Sequence, residues 1–521
     1  MNGGEALIRG LLSAGVEVCF ANPGTSEMHM VQALDGVGDM RGVLCLFEGV
    51  CTGAADGYGR MRGTPTCTLL HLGAGLGNGI ANLHNARRAS TAVVNLVGDH
   101  AGYHVHYDAP LTSNIKDIAR GVSAWIRSST TAEGMGQDAR DAVAASLAAN
   151  PESTGNVATL IIPADCAWGD AHAPSGVVID KHWAPMTQDG VTESVQALRS
   201  IGADAILLLD GNGLTAAAIN QAGRIAKVTG CRVYATTFPA RIESGPGLYP
   251  VQRMPYFPED VEAVLASAKS LILAGAKEPV SFFAYRGKPS NLVPLGCEVV
   301  RLAHKHQDVG ADLARVANML DAPAEPDVVG IDGRPSPPSG PLNTAAVGQA
   351  LAALIPENSI VSTDSGGGAA FPILHQAVRH SFLTITRGSI GQGGPVAVGA
   401  AVACPDRPVF ALLGDGGALY TNQFLWTAAR EKLNIVCVVY SNRTYSILDT
   451  EYRRLGVNTV GEIAASRFSL TDPDIDWVSL AKGYGADAVQ VATGEALVAA
   501  LEQGMAAQGP FLIEVLVSGR A

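Results

Sequence analysis

The sequence predicts an α/β protein of three domains, each a doubly wound parallel sheet with helices on both faces. Three observations predict it. At 521 residues the chain exceeds what one hydrophobic core organises, and domains of roughly 100–200 residues make three the natural division. Short, almost wholly apolar runs recur between amphipathic stretches, the pattern of parallel strands covered on both faces. Two stretches break that rhythm. Residues 166–190 carry Trp168, Pro174, Trp183 and Pro185 with little periodicity, and residues 322–341 carry Pro323, Pro326, Pro335, Pro337, Pro338 and Pro341. Proline at that density continues neither a helix nor a central strand. The domains are accordingly placed at 1–168, 190–322 and 342–521.

In the first domain strands are expected at 43–47, 66–70, 92–97 and 158–162, with a helix over 52–62. The central domain has them at 205–209, 232–235, 270–273 and 298–301. The C-terminal domain has them at 360–362, 409–413, 435–440 and 511–515, with a helix over 421–430. Composition agrees with large cores, at 47% hydrophobic and 16% charged. The net charge of −12 argues against nucleic acid or an anionic membrane as the main partner. It leaves an anionic substrate open, because the field of a site is local. Nine cysteines are scattered without a CxxC pair and read as buried, reduced thiols. The first residues have no basic stretch leading into an apolar run, and no run is long enough to span a bilayer, so a cytoplasmic protein is expected.

The stretch richest in chemistry begins at Val409, where an apolar strand ends in Gly414-Asp415-Gly416-Gly417. Asn442 follows Asp415 by 27 positions, about one strand–helix–strand unit. Both residues therefore fall at the carboxyl ends of neighbouring parallel strands, the edge where open α/β sheets bind ligands. A carboxylate, an amide oxygen and a backbone carbonyl near Thr444 suit a hard cation such as Mg²⁺. Gly414, Gly416 and Gly417 let backbone N–H groups approach phosphate oxygens. Alone, an Asp-Gly turn after a strand is only a turn; the spacing and the asparagine give it a chemical reading.

Gly414-Asp415-Gly416 with Asn442 at this distance resembles the cofactor motif of thiamine diphosphate enzymes, in the group of benzoylformate decarboxylase, acetolactate synthase and pyruvate oxidase. The segments Leu425-Trp426-Thr427 and Asn442-Arg443-Thr444-Tyr445 agree with that group. The resemblance is strong in the first and third domains and weak in the middle one. It implies that the first domain binds the aminopyrimidine and the third binds the diphosphate and Mg²⁺, through Asp415, Asn442 and Thr444, with Tyr445 beside them. Phe47-Glu48-Gly49, followed by Ala54-Ala55-Asp56-Gly57-Tyr58-Gly59-Arg60, resembles the segment of the activating glutamate. Glu48 is thereby the candidate that shares a proton with the pyrimidine ring. In the family this glutamate and the diphosphate site come from different subunits, so a homodimer, or two paired as a homotetramer, is implied.

Further residues follow from the same resemblance. Arg387-Gly388-Ser389-Ile390-Gly391 matches the region whose apolar side chain bends the coenzyme, making Ile390 the apparent wedge; an ordinary core isoleucine is the alternative. Asp364-Ser365-Gly366-Gly367 resembles the other diphosphate turn. Asn22-Pro23-Gly24-Thr25-Ser26-Glu27 resembles a substrate turn with Thr25 in the hydroxyl position. His71 matches a proton-relaying histidine, and Gly73 and Asn78 follow where the chain approaches the cofactor. His100, His104 and His106 fall on a loop expected to face the substrate, with a zinc site or a plain surface loop as alternatives. Phe282 and Phe283 stand where benzoylformate decarboxylase has a histidine, which departs from that enzyme's proton relay.

The expected activity is decarboxylation or carboligation of a 2-oxo acid, the second using an aldehyde or ketone acceptor. Two other readings stay open. One is a flavin-assisted relative, with Asp210-Gly211-Asn212-Gly213 admitting the ADP part of FAD. The other is a non-catalytic cofactor-binding regulator.

Overall fold

The computed structural model describes residues 1–148, 156–184, 188–330, 333–364, 367–386, 388–457 and 459–517. Among them the strands form three sheets, in the doubly wound α/β arrangement expected. The first sheet draws on β1 (Val18–Asn22), β2 (Arg41–Leu44), β3 (Thr66–Leu70), β4 (Val93–Asp99), β5 (Trp125–Ser128) and β6 (Val157–Pro163), in the order β2-β1-β3-β4-β6-β5. All its pairings are parallel. The middle stretch supplies β7 (Ala205–Leu209), β8 (Arg232–Ala235), β9 (Arg241–Ser244), β10 (Gln252–Arg253), β11 (Ser270–Ala274) and β12 (Glu298–Ala303). Five of these form the second sheet, in the order β10-β8-β7-β11-β12.

The third sheet comprises β13 (Ser359–Thr363), β14 (His380–Leu383), β15 (Val409–Gly414), β16 (Ile435–Ser441), β17 (Asp487–Val491) and β18 (Phe511–Leu516), with β9 on its edge. β9 pairs antiparallel with β14, the one exception to parallel pairing in that sheet. The middle stretch thus lends a strand to the C-terminal sheet, which no hydropathy pattern announced.

The core is shared in the same way. One apolar cluster joins β7, β11 and their helices to β13, β15, β16 and β18. A second joins the first sheet to the other face of the third. The contact between first and third sheets runs through two helices, Glu48–Arg62 and Gly393–Ala403. Every residue of the first but Arg62 is buried, as is every residue of the second. Helices buried all round need small side chains where they touch. A Cβ on Gly57 would lie 2.1 Å from the carbonyl oxygen of Val396, and one on Gly399 would lie 1.9 Å from that of Ala54. These two glycines set how closely the backbones approach.

Two local boundaries differ from expectation. The glutamate strand ends at Leu44, and Glu48 opens its helix instead of closing the strand. An acidic residue in a first turn is favoured by the unpaired N–H groups there. The helix expected over 421–430 starts later, at Phe424, and runs to Arg430, after a short helix Asp415–Ala418 and a 3₁₀ turn Leu419–Thr421. The Thr421 hydroxyl donates to the Gly391 carbonyl at 2.7 Å, drawing this stretch towards another loop. All nine cysteines are free thiols; Cys297 and Cys404 are half-buried and the rest buried. Among the described residues no helix is long and apolar enough to cross a membrane.

Candidate active site

At the carboxyl edge of the third sheet, β15 ends at Gly414 and Asp415 begins the next turn. Asp415 is buried, at 4% exposure. Its Oδ1 accepts from the Gly416 N–H at 2.8 Å and its Oδ2 from the Arg443 N–H at 2.6 Å. Burial raises its carboxyl above the ordinary range, and those backbone donors oppose the rise. Asn442 follows β16, and its Oδ1 accepts from the Thr444 N–H at 3.1 Å. The Thr444 hydroxyl donates to the Phe468 carbonyl at 3.0 Å, which turns this side chain towards that loop. Arg443, between them, holds φ at +56°, a strained backbone for an arginine. Gly416 is required on its own account, because a Cβ there would lie 2.3 Å from the Tyr445 ring. Among the described residues the edge thus gathers a buried carboxylate held by backbone N–H groups, with no cationic side chain bonded to it, and an amide oxygen. That donor set fits a hard divalent cation.

The first sheet's edge is built alike. Glu48 is 6% exposed; Asn78 donates to its Oε2 at 3.0 Å, and its Oε1 faces Gly75. His71 caps the helix Leu72–Ala89, and Leu72 holds φ at +50°. His71 Nδ1 lies 2.8 Å from Glu27 Oε2 and 3.1 Å from Ser26 Oγ. Glu27 is 1% exposed, and also accepts from the Gly24 N–H at 2.8 Å and from Ser26 Oγ at 2.7 Å. Gly24 leaves room for the imidazole, since a Cβ there would fall 2.2 Å from His71 Nδ1. Thr25 is exposed on the turn, and Ser26 is the hydroxyl that meets His71. Gly73 is buried; a Cβ on it would meet Ser113 Oγ, a buried hydroxyl without a hydrogen-bond partner among the described residues.

The two edges are linked inside one chain. Asn82 donates to the Gly49 carbonyl at 2.8 Å and reaches the Gly391 carbonyl at 3.5 Å. Ile390 is half-buried between Gly388 and Gly391, whose φ values are +88° and +89°. Asp364 Oδ2 accepts from the Gly391 and Gly393 N–H groups at 2.8 and 3.0 Å. Ser365 and Gly366 lie outside the described residues, and Gly367 starts a 3₁₀ turn. Phe282 packs beneath the same loop, 2.7 Å from where a Cβ on Gly388 would sit, within an aromatic group of Phe238, Tyr256 and the exposed Phe283.

His100 is half-buried, its Nε2 without a partner among the described residues, while His104 and His106 are exposed. Among the described residues no three His, Cys, Asp or Glu side chains gather as a metal site. In the second sheet, Asp210 lies 3.4 Å from Lys305, and the Asn212 side chain bonds to the Gln307 carbonyl and the Val309 N–H. The residues that sequence reasoning left without a role are Glu27, Ser26, Asn82 and Asp364. For Glu27 a signal existed, its capping-box distance from Gly24.

Two largely parallel sheets, each with a buried carboxylate at its carboxyl edge and a positive-φ residue nearby, place the chain among α/β proteins that bind a ligand at that edge. Comparison with known proteins gives its kind. Residues 1–120 match the thiamine pyrophosphate enzyme N-terminal TPP binding domain, and residues 366–515 match the corresponding C-terminal TPP binding domain. The chain is 47% identical over 523 residues to a Mycobacterium tuberculosis protein named "Putative acetolactate synthase large subunit IlvX", covering 99% of each. It is 27% identical over 532 residues to benzoylformate decarboxylase of Pseudomonas aeruginosa, covering 96% of each. A solved Rhodococcus jostii RHA1 structure, a thiamine diphosphate-dependent 4-hydroxybenzoylformate decarboxylase, superposes with a TM-score of 0.86 at 24% identity over 99% of both chains. The chain belongs to the thiamine pyrophosphate enzyme family.

Proposed function

We propose that this protein is a thiamine diphosphate- and Mg²⁺-dependent enzyme that cleaves the bond between the carbonyl and carboxylate carbons of a 2-oxo acid. It then releases an aldehyde or joins the acyl fragment to a second carbonyl compound. The observation that carries the reading is the pair of buried carboxylates, Glu48 and Asp415, each at a sheet's carboxyl edge and neither ion-paired among the described residues. The names of the two relatives support the 2-oxo acid class.

Asp415, Asn442 and the Thr444 backbone carbonyl would hold Mg²⁺, which in turn would hold the diphosphate beside Gly414, Gly416 and Gly417. Bound thiamine diphosphate supplies a carbon nucleophile and an electron sink for the leaving carboxylate. Glu48 Oε1 is the oxygen left to share a proton with the coenzyme's pyrimidine nitrogen, since Asn78 holds Oε2. His71, oriented by Glu27 and Ser26, is placed to move a proton at its Nε2, because Nδ1 is engaged. Ile390 would support the bent coenzyme, and Thr25, His100, Phe282 and Phe283 would face the substrate. The glutamate of one subunit serving the diphosphate site of another follows from the family and makes a homodimer the working unit.

The test is a panel of 2-oxo acids with thiamine diphosphate and Mg²⁺, following both CO₂ and ketone products. CO₂ release that needs both additions is expected. Turnover indifferent to added thiamine diphosphate would sink the reading.

A further inference from the structure

We propose that Tyr285 and Arg454 are positioning residues that dock the hairpin carrying Phe282 and Phe283 onto the helix that follows Asn442 and Thr444. Docking fixes the substrate wall to the metal-binding edge of the same chain. The proposal rests on the reading of those four residues as substrate and metal contacts.

The hairpin follows β11. Val280 and Asn291 pair antiparallel, the Ser281 N–H donates to the Ser290 carbonyl at 2.9 Å, and the Lys288 N–H donates to the Tyr285 carbonyl at 3.1 Å to close the tip. Gly287 in that tip holds φ at +76°. Phe282 and Phe283 lie on the arm leading to the tip, with ring centroids 4.7 Å apart. The helix Ser446–Arg454 opens directly after Tyr445, and none of its residues is buried. An apolar face therefore does not hold it, and nine residues are too few for an isolated helix to be stable. Its position depends on polar and stacked contacts with its neighbours. Tyr452 meets Phe468 within the C-terminal domain, at 5.7 Å between ring centroids, and further ties reach the middle stretch.

Those ties meet at Arg454. Its guanidinium lies over both the Tyr285 ring, at 4.5 Å, and the Phe257 ring, at 4.7 Å. One terminal nitrogen donates to both carboxylate oxygens of Glu259 at 3.0 Å. The Tyr285 hydroxyl donates to Glu451, on the same helix as Arg454, at 3.0 and 3.1 Å. Burial and this carboxylate push the phenol up, so it keeps the proton it donates. A planar cation that stacks on rings and bonds a carboxylate is fixed in direction, as a point charge on a flexible stem is not. These contacts lie within one chain, the chain whose Asn442 and Thr444 lead into the helix. The network offers its own control. Lys288, also at the hairpin tip, pairs with Glu259 and Glu262 at 3.8 and 3.9 Å, contacts that stay within the middle stretch.

The experiment compares Arg454→Met with Lys288→Met in the full-length protein. Each removes one positive charge that pairs with Glu259. Amide hydrogen exchange over 280–291 and 446–454 is measured without coenzyme. The constants kcat and KM are measured with thiamine diphosphate, Mg²⁺ and the 2-oxo acid that the substrate panel selects. Arg454→Met is expected to speed exchange in both segments about tenfold, to raise KM about tenfold and to leave kcat within about twofold. Lys288→Met should leave helix exchange and both kinetic constants at wild-type values. A merely structural role would shrink the active fraction and lower kcat at constant KM. That outcome, equal effects from the two variants, or wild-type exchange over 446–454 in Arg454→Met overturns the docking. Should Arg454→Met fail to fold, Tyr285→Phe removes a single hydroxyl and carries the same expectations at about threefold. A wild-type protein that turns over no 2-oxo acid with thiamine diphosphate would defeat the functional reading, while the exchange comparison still decides the docking.

Discussion

Glu48 and Asp415 share one side-chain chemistry, and the proposed function gives them opposite duties that their different surroundings suit. Asp415 has both oxygens engaged by backbone N–H groups, which hold its carboxyl group in one orientation, as the proposed metal ligand needs. Glu48 has one oxygen held by Asn78 and the other facing the glycine-lined wall at Gly75. Glu48→Gln should therefore keep coenzyme binding while slowing exchange of the coenzyme's reactive proton on the order of 10²- to 10⁴-fold, read by NMR. Exchange at the wild-type rate would remove Glu48 from its role. Asp415→Ala should instead lose metal-dependent coenzyme binding, measured by calorimetry. Both were singled out in the sequence because their segments, Phe47-Glu48-Gly49 and Gly414-Asp415-Gly416, resemble the family's motifs. Glu27 and Asp364 were not, because what they bind, His71 and the Gly391 and Gly393 N–H groups, lies 27 or more positions away.

Strands buried on both faces, such as β7, β11 and β16, were visible as unbroken apolar runs. β5, β9 and β17 are half-buried, and mixed burial of that kind leaves no clear apolar signal. The glutamate helix shows what glycine does between elements. Gly57→Ala would press a methyl group into the Val396 carbonyl and should lower stability by about 3 kcal/mol, seen as an earlier denaturant midpoint. The seam between β9 and β14 has its own pH dependence. Ser244 on β9 hydrogen-bonds His375 Nδ1 at 2.7 Å, and burial pushes this imidazole down to about 4, with His380 and Arg253 adding to it. The unfolded imidazole protonates near its ordinary value of about 6.5. Between those values the unfolded state holds more protons, so stability is complete above about pH 6.5 and declines as pH falls towards about 4. His375→Gln should flatten that decline by on the order of 2–3 kcal/mol, measured as unfolding free energy against pH. A parallel decline in the variant would remove His375 as its source.

At the scale of the molecule, the third sheet is a hub. One of its faces shares an apolar core with the middle stretch, and the other shares one with the first sheet. β9 closes its edge from outside the C-terminal third, and Arg241 on β9 donates to the Arg60 and Met61 carbonyls, tying all three regions at one point. Contacts of this kind make the folding of each region conditional on the others, unlike domains joined only by linkers. The helix Gly393–Ala403 is the sharpest case, because all of its residues are buried and the glutamate helix supplies part of the cover. A fragment of residues 342–521 should therefore expose that apolar helix, lack the strand that pairs with β14, and aggregate or bind hydrophobic dye. The whole chain should melt in one calorimetric transition. A soluble fragment with cooperative unfolding and protected amides in β14 would show that the C-terminal sheet stands alone, and the hub would then be a contact surface only.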